Sequence, residues 1–228
     1  MNPKDTKILL RNVLIILCVF FLCVGCGKSA EEKLLEGQIE GSNVVSSLLF
    51  SDDFSDTSSG WDRENSDDGM SDYQDDQYHI RINRADFDVF ANPYRSFGDV
   101  HIEVQATNVG EVADDNYGLI CRSVDMHNFY AGLITSDGHY GIFKIKDGTF
   151  TLLEGDSMPT SPAILPAGEM NQIRLDCIGS RLTLSVNGIP LDTREDVDFP
   201  SGDVGLLAGS YAIAGVEIAF DNFMVFNQ

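Results

Sequence analysis

Residues 116–150, NYGLICRSVDMHNFYAGLITSDGHYGIFKIKDGTF, leave the chain little choice of local structure. Apolar residues recur there at alternate positions, the spacing at which successive strand side chains reach opposite faces. The runs break at turn chemistry: Asp125 to Asn128, Asp137-Gly138 and Asp147-Gly148. Asp-Gly favours a tight hairpin turn because Gly accepts positive φ without steric cost. Three consecutive antiparallel strands are expected.

Alternation assigns their faces. Tyr117, Leu119 and Cys121 share the expected inward face, with Gly118, Ile120 and Arg122 opposite. On the second strand Phe129, Ala131 and Leu133 make the apolar set, leaving Asn128, Tyr130 and Gly132 outside. On the third, Gly141, Phe143 and Ile145 oppose Tyr140, Ile142, Lys144 and Lys146. The expected outer face therefore carries Arg122, Asn128, Tyr130, Tyr140 and Lys144.

The same period runs through the rest of the chain. Leu48 to Phe54 reads as a first strand, followed by the acidic stretch SDDFSDTSSGWDRENSDDG, in which Trp61 reads as a packing residue of the loop. Tyr78, Ile80 and Ile82 alternate with polar residues, as do Ile102, Val104 and Ala106, then Ile173, Leu175 and Cys177, then Leu182, Leu184 and Val186. Val204 to Leu207 and Val216 to Phe226 close the pattern. About eleven to thirteen short strands with no helical period predict an all-β, two-sheet antiparallel sandwich. Val216, Ile218 and Phe220 differ in parity from Phe223 and Val225, so an extra residue is absorbed near Asp221-Asn222, the signature of a β-bulge.

The chain begins with Lys4, Lys7 and Arg11, then an apolar run from Val13 to Val24, then Gly25-Cys26, the three-part pattern of an export signal. Leu22-Cys23-Val24-Gly25-Cys26 resembles the bacterial lipobox, which implies a lipidated Cys26 at the start of the mature chain; an uncleaved anchor is the other reading. Residues 1–25 are thus the signal, 26–45 a polar tether and 46–228 one domain, held at the cell membrane and facing outside the cytoplasm. The whole chain has a net charge of −21, and loss of residues 1–25, with Lys4, Lys7, Arg11 and Asp5, removes +2 and leaves −23. So anionic a surface excludes nucleic acid as a partner, because phosphate binding needs a basic face. Of the cysteines, Cys121 and Cys177 lie in the domain on inferred inward faces. An exported protein can join them in a disulfide, and two buried thiols satisfy the pattern equally.

DDF at 52–54, Gly60-Trp61, YGLICR at 117–122, NFY at 128–130, SDGHY at 136–140, Cys177, VNG at 186–188, GDVGLLA at 202–208 and FDNF at 220–223 together carry a resemblance. They resemble the concanavalin A-like lectin and glucanase jelly rolls, especially the laminin-G-like and 3-keto-disaccharide-hydrolase-like groups of exported bacterial domains. The resemblance spans Leu48 to Asn227 and implies a jelly-roll sandwich that hosts lectins, adhesion modules and glycosidases alike.

A retaining glucanase needs two carboxylates about 5–5.5 Å apart, and glucanases of this fold carry them in an E-x-D-x-E or E-x-D-x-x-E run. No such run occurs: Val104-Gln105-Ala106 follows Glu103, and Asp114-Asp115 falls in an expected turn. Glycoside hydrolysis is therefore the second reading. The first is a non-catalytic module binding a glycan or a surface protein through Arg122, Asn128, Tyr130 and Tyr140, since aromatic faces stack on sugar rings while planar polar groups fix hydroxyls. A protein-interaction or adhesion module, the third reading, would present an apolar patch instead. A structural Ca²⁺ is expected near the meeting of the first and last strands, with Asp221 and Asp52 or Asp53 as ligands; the alternative there is an Asp that only hydrogen-bonds the bulge. The histidines at 79, 101, 127 and 139 read as solvated.

Intact-mass analysis of the native protein tests the anchor: the mature chain should begin at Cys26 and carry acyl mass. A different first residue, or a chain without lipid, would exclude it.

Overall fold

The computed structural model describes residues 46–227; the export signal, Cys26 and the tether lie outside the described residues. The described residues form sixteen strands. The first eight are β1 (Leu48–Asp52), β2 (Glu64–Asn65), β3 (Gly69–Gln74), β4 (Gln77–Ile82), β5 (Phe87–Ala91), β6 (Ser96–Phe97), β7 (Val100–Asn108) and β8 (Asp115–Asp125). The rest are β9 (Asn128–Ile134), β10 (Tyr140–Lys146), β11 (Thr149–Leu152), β12 (Asn171–Ile178), β13 (Arg181–Val186), β14 (Ile189–Glu195), β15 (Gly202–Ser210) and β16 (Val216–Asn227). They pair into two antiparallel sheets. The larger runs β14-β13-β12-β7-β16-β4-β3-β2, with β1 also on β16; the smaller runs β11-β10-β9-β8-β15-β5, with β6 also on β15.

Between the sheets lies the main core. Tyr117, Leu119 and Cys121 of β8 and Leu206 of β15 meet Ile102 and Val104 of β7, Leu175 of β12, Ile80 of β4 and Phe220 of β16, all fully buried. Phe54, Trp61, Tyr78 and Phe223 close one end, with Trp61 4.9 Å from Phe223 and 5.3 Å from Phe54. The bulge expected near Asp221-Asn222 is present: Asn222 has φ 51° and the β16–β7 register shifts between Asp221 and Met224.

The face assignment of β9 and β10 is corrected. Tyr130, Ile134 and Ile142 enter the main core, whereas Phe129, Ala131, Leu133 and Ile145 gather with Ile120 and Leu207 on the other side of the smaller sheet. Register explains this. Tyr117 pairs with Ile134, Leu119 with Gly132 and Cys121 with Tyr130, and paired residues share a face, so an inward β8 turns the even-numbered residues of β9 inward. Both faces of this sheet are apolar, so hydrophobicity alone does not choose between them. Gly132 fits the inward assignment, because a Cβ there would lie 2.9 Å from Leu175 Cδ1 and 3.1 Å from Leu184 Cδ1.

Arg122 is the second correction. It has φ 51° at a register shift between Cys121 and Asp125, so the alternation breaks and its side chain follows Cys121 inward. Only 2% exposed, it donates to Gly179 O at 2.8 Å, Asp99 Oδ1 at 2.9 Å, Cys177 O at 3.1 Å and Phe199 O at 3.2 Å. Beside it Cys121 and Cys177 form a disulfide that joins β8 to β12, one sheet to the other, across a sequence separation of 56. The disulfide and the four Arg122 hydrogen bonds make a cross-sheet clamp.

Replacing both cysteines by Ala should lower stability in chemical denaturation by on the order of 4 kcal/mol, the loop-closure contribution for this separation. Arg122→Met, which removes the donor that three backbone carbonyls and Asp99 share, should cost about 3 kcal/mol. Stability unchanged by either substitution would show that packing alone holds the sheets together.

Candidate functional site

Beside the edge strands β5 and β6 of the smaller sheet and β2 and β3 of the larger runs an open groove of about 1130 Å³. It is lined by Asp62, Arg63, Met70, Asp88, Phe90, Asn92, Tyr94, Met126 and Asp203.

Asp62 organises it. Its Oδ2 accepts from Asn92 N at 2.9 Å, its Oδ1 accepts the Tyr94 hydroxyl, and its backbone N–H donates to Asn92 O at 3.3 Å. The acidic stretch is thereby tied to the Asn92-Pro93-Tyr94 turn. Tyr94 takes φ 57°, a strained value for a bulky residue, and stands 73% exposed. Hydrogen bonding from Asp62 raises its hydroxyl above the ordinary tyrosine value. Asn92 Nδ2 donates to Val204 O at 2.8 Å. Asp203 Oδ1 accepts from Arg95 N at 2.6 Å and Val204 N at 2.9 Å. Arg63 is held at 2.7 and 3.2 Å by Asp72 and lies 5.8 Å over the Tyr73 ring.

Burial pushes the carboxyls of Asp88 and Asp203 above their ordinary value. The groove thus presents an exposed aromatic ring, a half-buried one in Phe90, and carboxylate and amide oxygens that accept hydrogen bonds. That combination can hold a polyhydroxylated ring: one apolar face stacks and the hydroxyls donate.

The residues expected to bind ligand are not brought together on one exposed face. Arg122 is in the clamp. Tyr130 is fully buried, its hydroxyl donating to Asp196 Oδ1 at 2.5 Å and accepting from Phe199 N at 3.2 Å. Asn128 braces the β8–β9 turn, donating to Asp125 at 2.9 and 3.1 Å and accepting from Asp147 N at 3.1 Å. Tyr140 is partly buried against the main core.

The expected metal ligands have other partners. Asp52 is buried, with Oδ1 accepting Phe54 N at 2.8 Å and Oδ2 accepting Trp61 Nε1 at 2.9 Å. Exposed Asp53 caps a turn at Ser55, and Asp221 Oδ1 accepts Asn222 N at 2.7 Å within the bulge. Among the described residues no three His, Cys, Asp or Glu side chains are gathered where they could hold a metal ion. Two further expectations are corrected. Asp115 opens β8 rather than a turn and is buried against Asn108 and Ser136. His79 is 6% exposed, with Nδ1 3.0 Å from Glu217 Oε1, because β4 is covered on both edges by β3 and β16.

No protein-family model matches the chain, and no curated protein matches it in sequence. Solved structures do match its fold. The carbohydrate binding module CBM66 from Bacillus subtilis aligns over 73% of this chain and 94% of its own, with a TM-score of 0.60 and 18% identity. A Bacillus subtilis protein of unknown function with a galectin-like fold aligns over 78% and 95%, with a TM-score of 0.58 and 13% identity. The catalytic domain of an endo-1,3-β-glucanase (laminarinase) from Thermotoga petrophila aligns over 80% and 98%, with a TM-score of 0.55 and 10% identity. The domain has the two-sheet antiparallel fold of a concanavalin A-like jelly roll.

The raised carboxyl of Asp88 sets a sign for stability. An acid whose folded pKa exceeds its unfolded value opposes folding above the folded pKa and has no such effect below the unfolded one. Asp88→Asn should therefore raise the melting temperature near neutral pH, and the difference should close in acid. A constant difference at every pH would show that burial does not destabilise the Asp88 carboxylate.

Proposed function

We propose that this domain is a non-catalytic glycan-binding module, presented outside the cytoplasm by a lipid on Cys26 and engaging its ligand through the groove built around Asp62 and Tyr94. The observation that carries the reading is the groove itself: an open channel of about 1130 Å³ with an exposed Tyr94 ring, Phe90, and acceptor oxygens from Asp62, Asp88 and Asp203. A sugar ring stacked on Tyr94 buries its apolar face while its hydroxyls replace water on the carboxylates. An open channel admits an internal stretch of a chain as well as an end.

Glycoside hydrolysis is the second reading, favoured by five groove acids, Asp62, Glu64, Asp88, Asp125 and Asp203, of which Asp88 and Asp203 have raised carboxyls. The hydrogen bonding weighs against it. Asp62 spends both oxygens on Asn92 and Tyr94, and Asp203 spends Oδ1 on two backbone N–H groups, which makes them braces of the groove wall.

A glycan array, paired with an assay for reducing ends released from the same glycans, tests both readings. Binding without release is expected, and Tyr94→Ala should weaken binding about tenfold, the loss of roughly one stacking contact. Release abolished by Asp203→Asn would establish a hydrolase. Binding unaffected by Tyr94→Ala and Asp62→Asn together would place the ligand elsewhere.

A further inference from the structure

Where Asp88 of β5 borders the groove, the register lines it up with Gly209 of β15 and Asn116 of β8 on one face of the smaller sheet. Asp88 and Asn116 lean towards each other over the glycine: a Cβ on Gly209 would lie 1.9 Å from Asp88 Oδ1 and 2.5 Å from Asn116 Nδ2. Asn116 is 6% exposed. Its Nδ2 reaches Asp88 Oδ1 only at 3.4 Å, and its buried Oδ1 has no hydrogen-bond donor. A buried amide oxygen without a donor is costly and rare in folded proteins.

Asp88 has an equivalent deficit. Among the described residues no Lys, Arg or His is paired with it, while burial and then the charge of Asp86 push its carboxyl up. Arg63, which also lines the groove, is already committed to Asp72 and Arg84 to Asp68, and Asp62, Asp125 and Asp203 add negative potential. Burial, and after it the charge of Asp88, raises the Tyr211 hydroxyl to about 12, which puts this phenol in the same field.

A ligand group that suits this end must bring donors and positive charge. A divalent cation needs six to eight oxygens, more than one carboxylate and one amide provide. A neutral hydroxyl brings a donor and leaves the carboxylate uncompensated. An ammonium group brings three N–H donors and one charge, and the Phe90 ring, two residues along β5 on the same face, offers a π surface beside it.

We propose that Asp88 and Asn116 form a subsite for a protonated amino group, so that the groove takes glycans containing de-N-acetylated amino sugars. This rests on the glycan-binding reading above and adds the chemical class of the sugar.

The test uses three hexasaccharides that differ in one substituent: the β-1,4-linked oligomers of glucosamine, of N-acetylglucosamine and of glucose, titrated against the purified domain at fixed ionic strength. The glucosamine oligomer should bind at least about tenfold tighter than the other two, the difference expected from one charge-assisted hydrogen bond. Asp88→Asn and Asn116→Leu should each remove that preference, while Glu169→Gln, an exposed charge change away from the groove, should keep it. Melting curves confirm that each variant is folded. Three oligomers bound equally well would overturn the amino-sugar specificity and leave the glycan-binding reading standing. A glucosamine preference that survives Asp88→Asn as well as Glu169→Gln would assign it to the overall negative charge and also overturn the subsite. Failure to bind any of the three, with a blank glycan array, would remove the glycan-binding reading itself.

Discussion

Among the described residues the two sheets are joined covalently at one point. Cys121 bonds to Cys177 across the sandwich, and the next residue, Arg122, sends its guanidinium the same way to three backbone carbonyls and Asp99. Two neighbouring side chains can point to the same face only where a strand is broken, and the positive φ of Arg122 is that break. Burying a guanidinium is unfavourable unless its N–H groups are satisfied. Gly179 at the β12–β13 turn and Phe199 before β15 are therefore held wherever Arg122 requires them. The clamp also holds the end of β8, whose Ser123 to Asp125 line the groove together with Met126.

A second constraint is the smaller sheet's apolar character on both faces. Its inner face packs on the larger sheet. Its other face carries Ile120, Phe129, Ala131, Leu133, Ile145 and Leu207, with partly buried Phe90 and Phe143 packed against them and the Phe90 and Phe129 rings 5.3 Å apart. An apolar face of this kind resembles the patch expected of an interaction module, but its residues shield one another and little of it is open. The polar chemistry is displaced to the sheet's edge, where β5 meets the stretch from Asp62 to Ser71. Edge strands end in free backbone groups and loops, and the groove forms there.

Much of the fold is legible in the sequence because it rests on local rules. Alternation, Asp-Gly turns and the parity break at Asp221-Asn222 each concern neighbours along the chain, and the sandwich and its bulge follow from them. The site is far less legible. Arg122 and Tyr130 have the composition of a binding face and are interior residues; one is turned inward by a positive φ, the other by its pairing with Cys121. Asp62, Asp88, Tyr94 and Asp203 are separated by up to 141 positions and come together only once the edges of two sheets are side by side. A local hint existed in Asn92-Pro93-Tyr94, an aromatic residue in a turn after an apolar run, but nothing nearby in sequence points to Asp62 as its partner.

The sequence by itself therefore determined the class of structure: strand period, turn positions, an anionic surface, and two cysteines at inward positions. Only the tertiary structure decided whether those cysteines bond, which face of β9 and β10 is inside, and where a ligand is met. The physical reason is that strand alternation defines two faces without saying which is buried. That choice is made by cross-strand register and by one residue of positive φ, and both depend on partners far away in the chain.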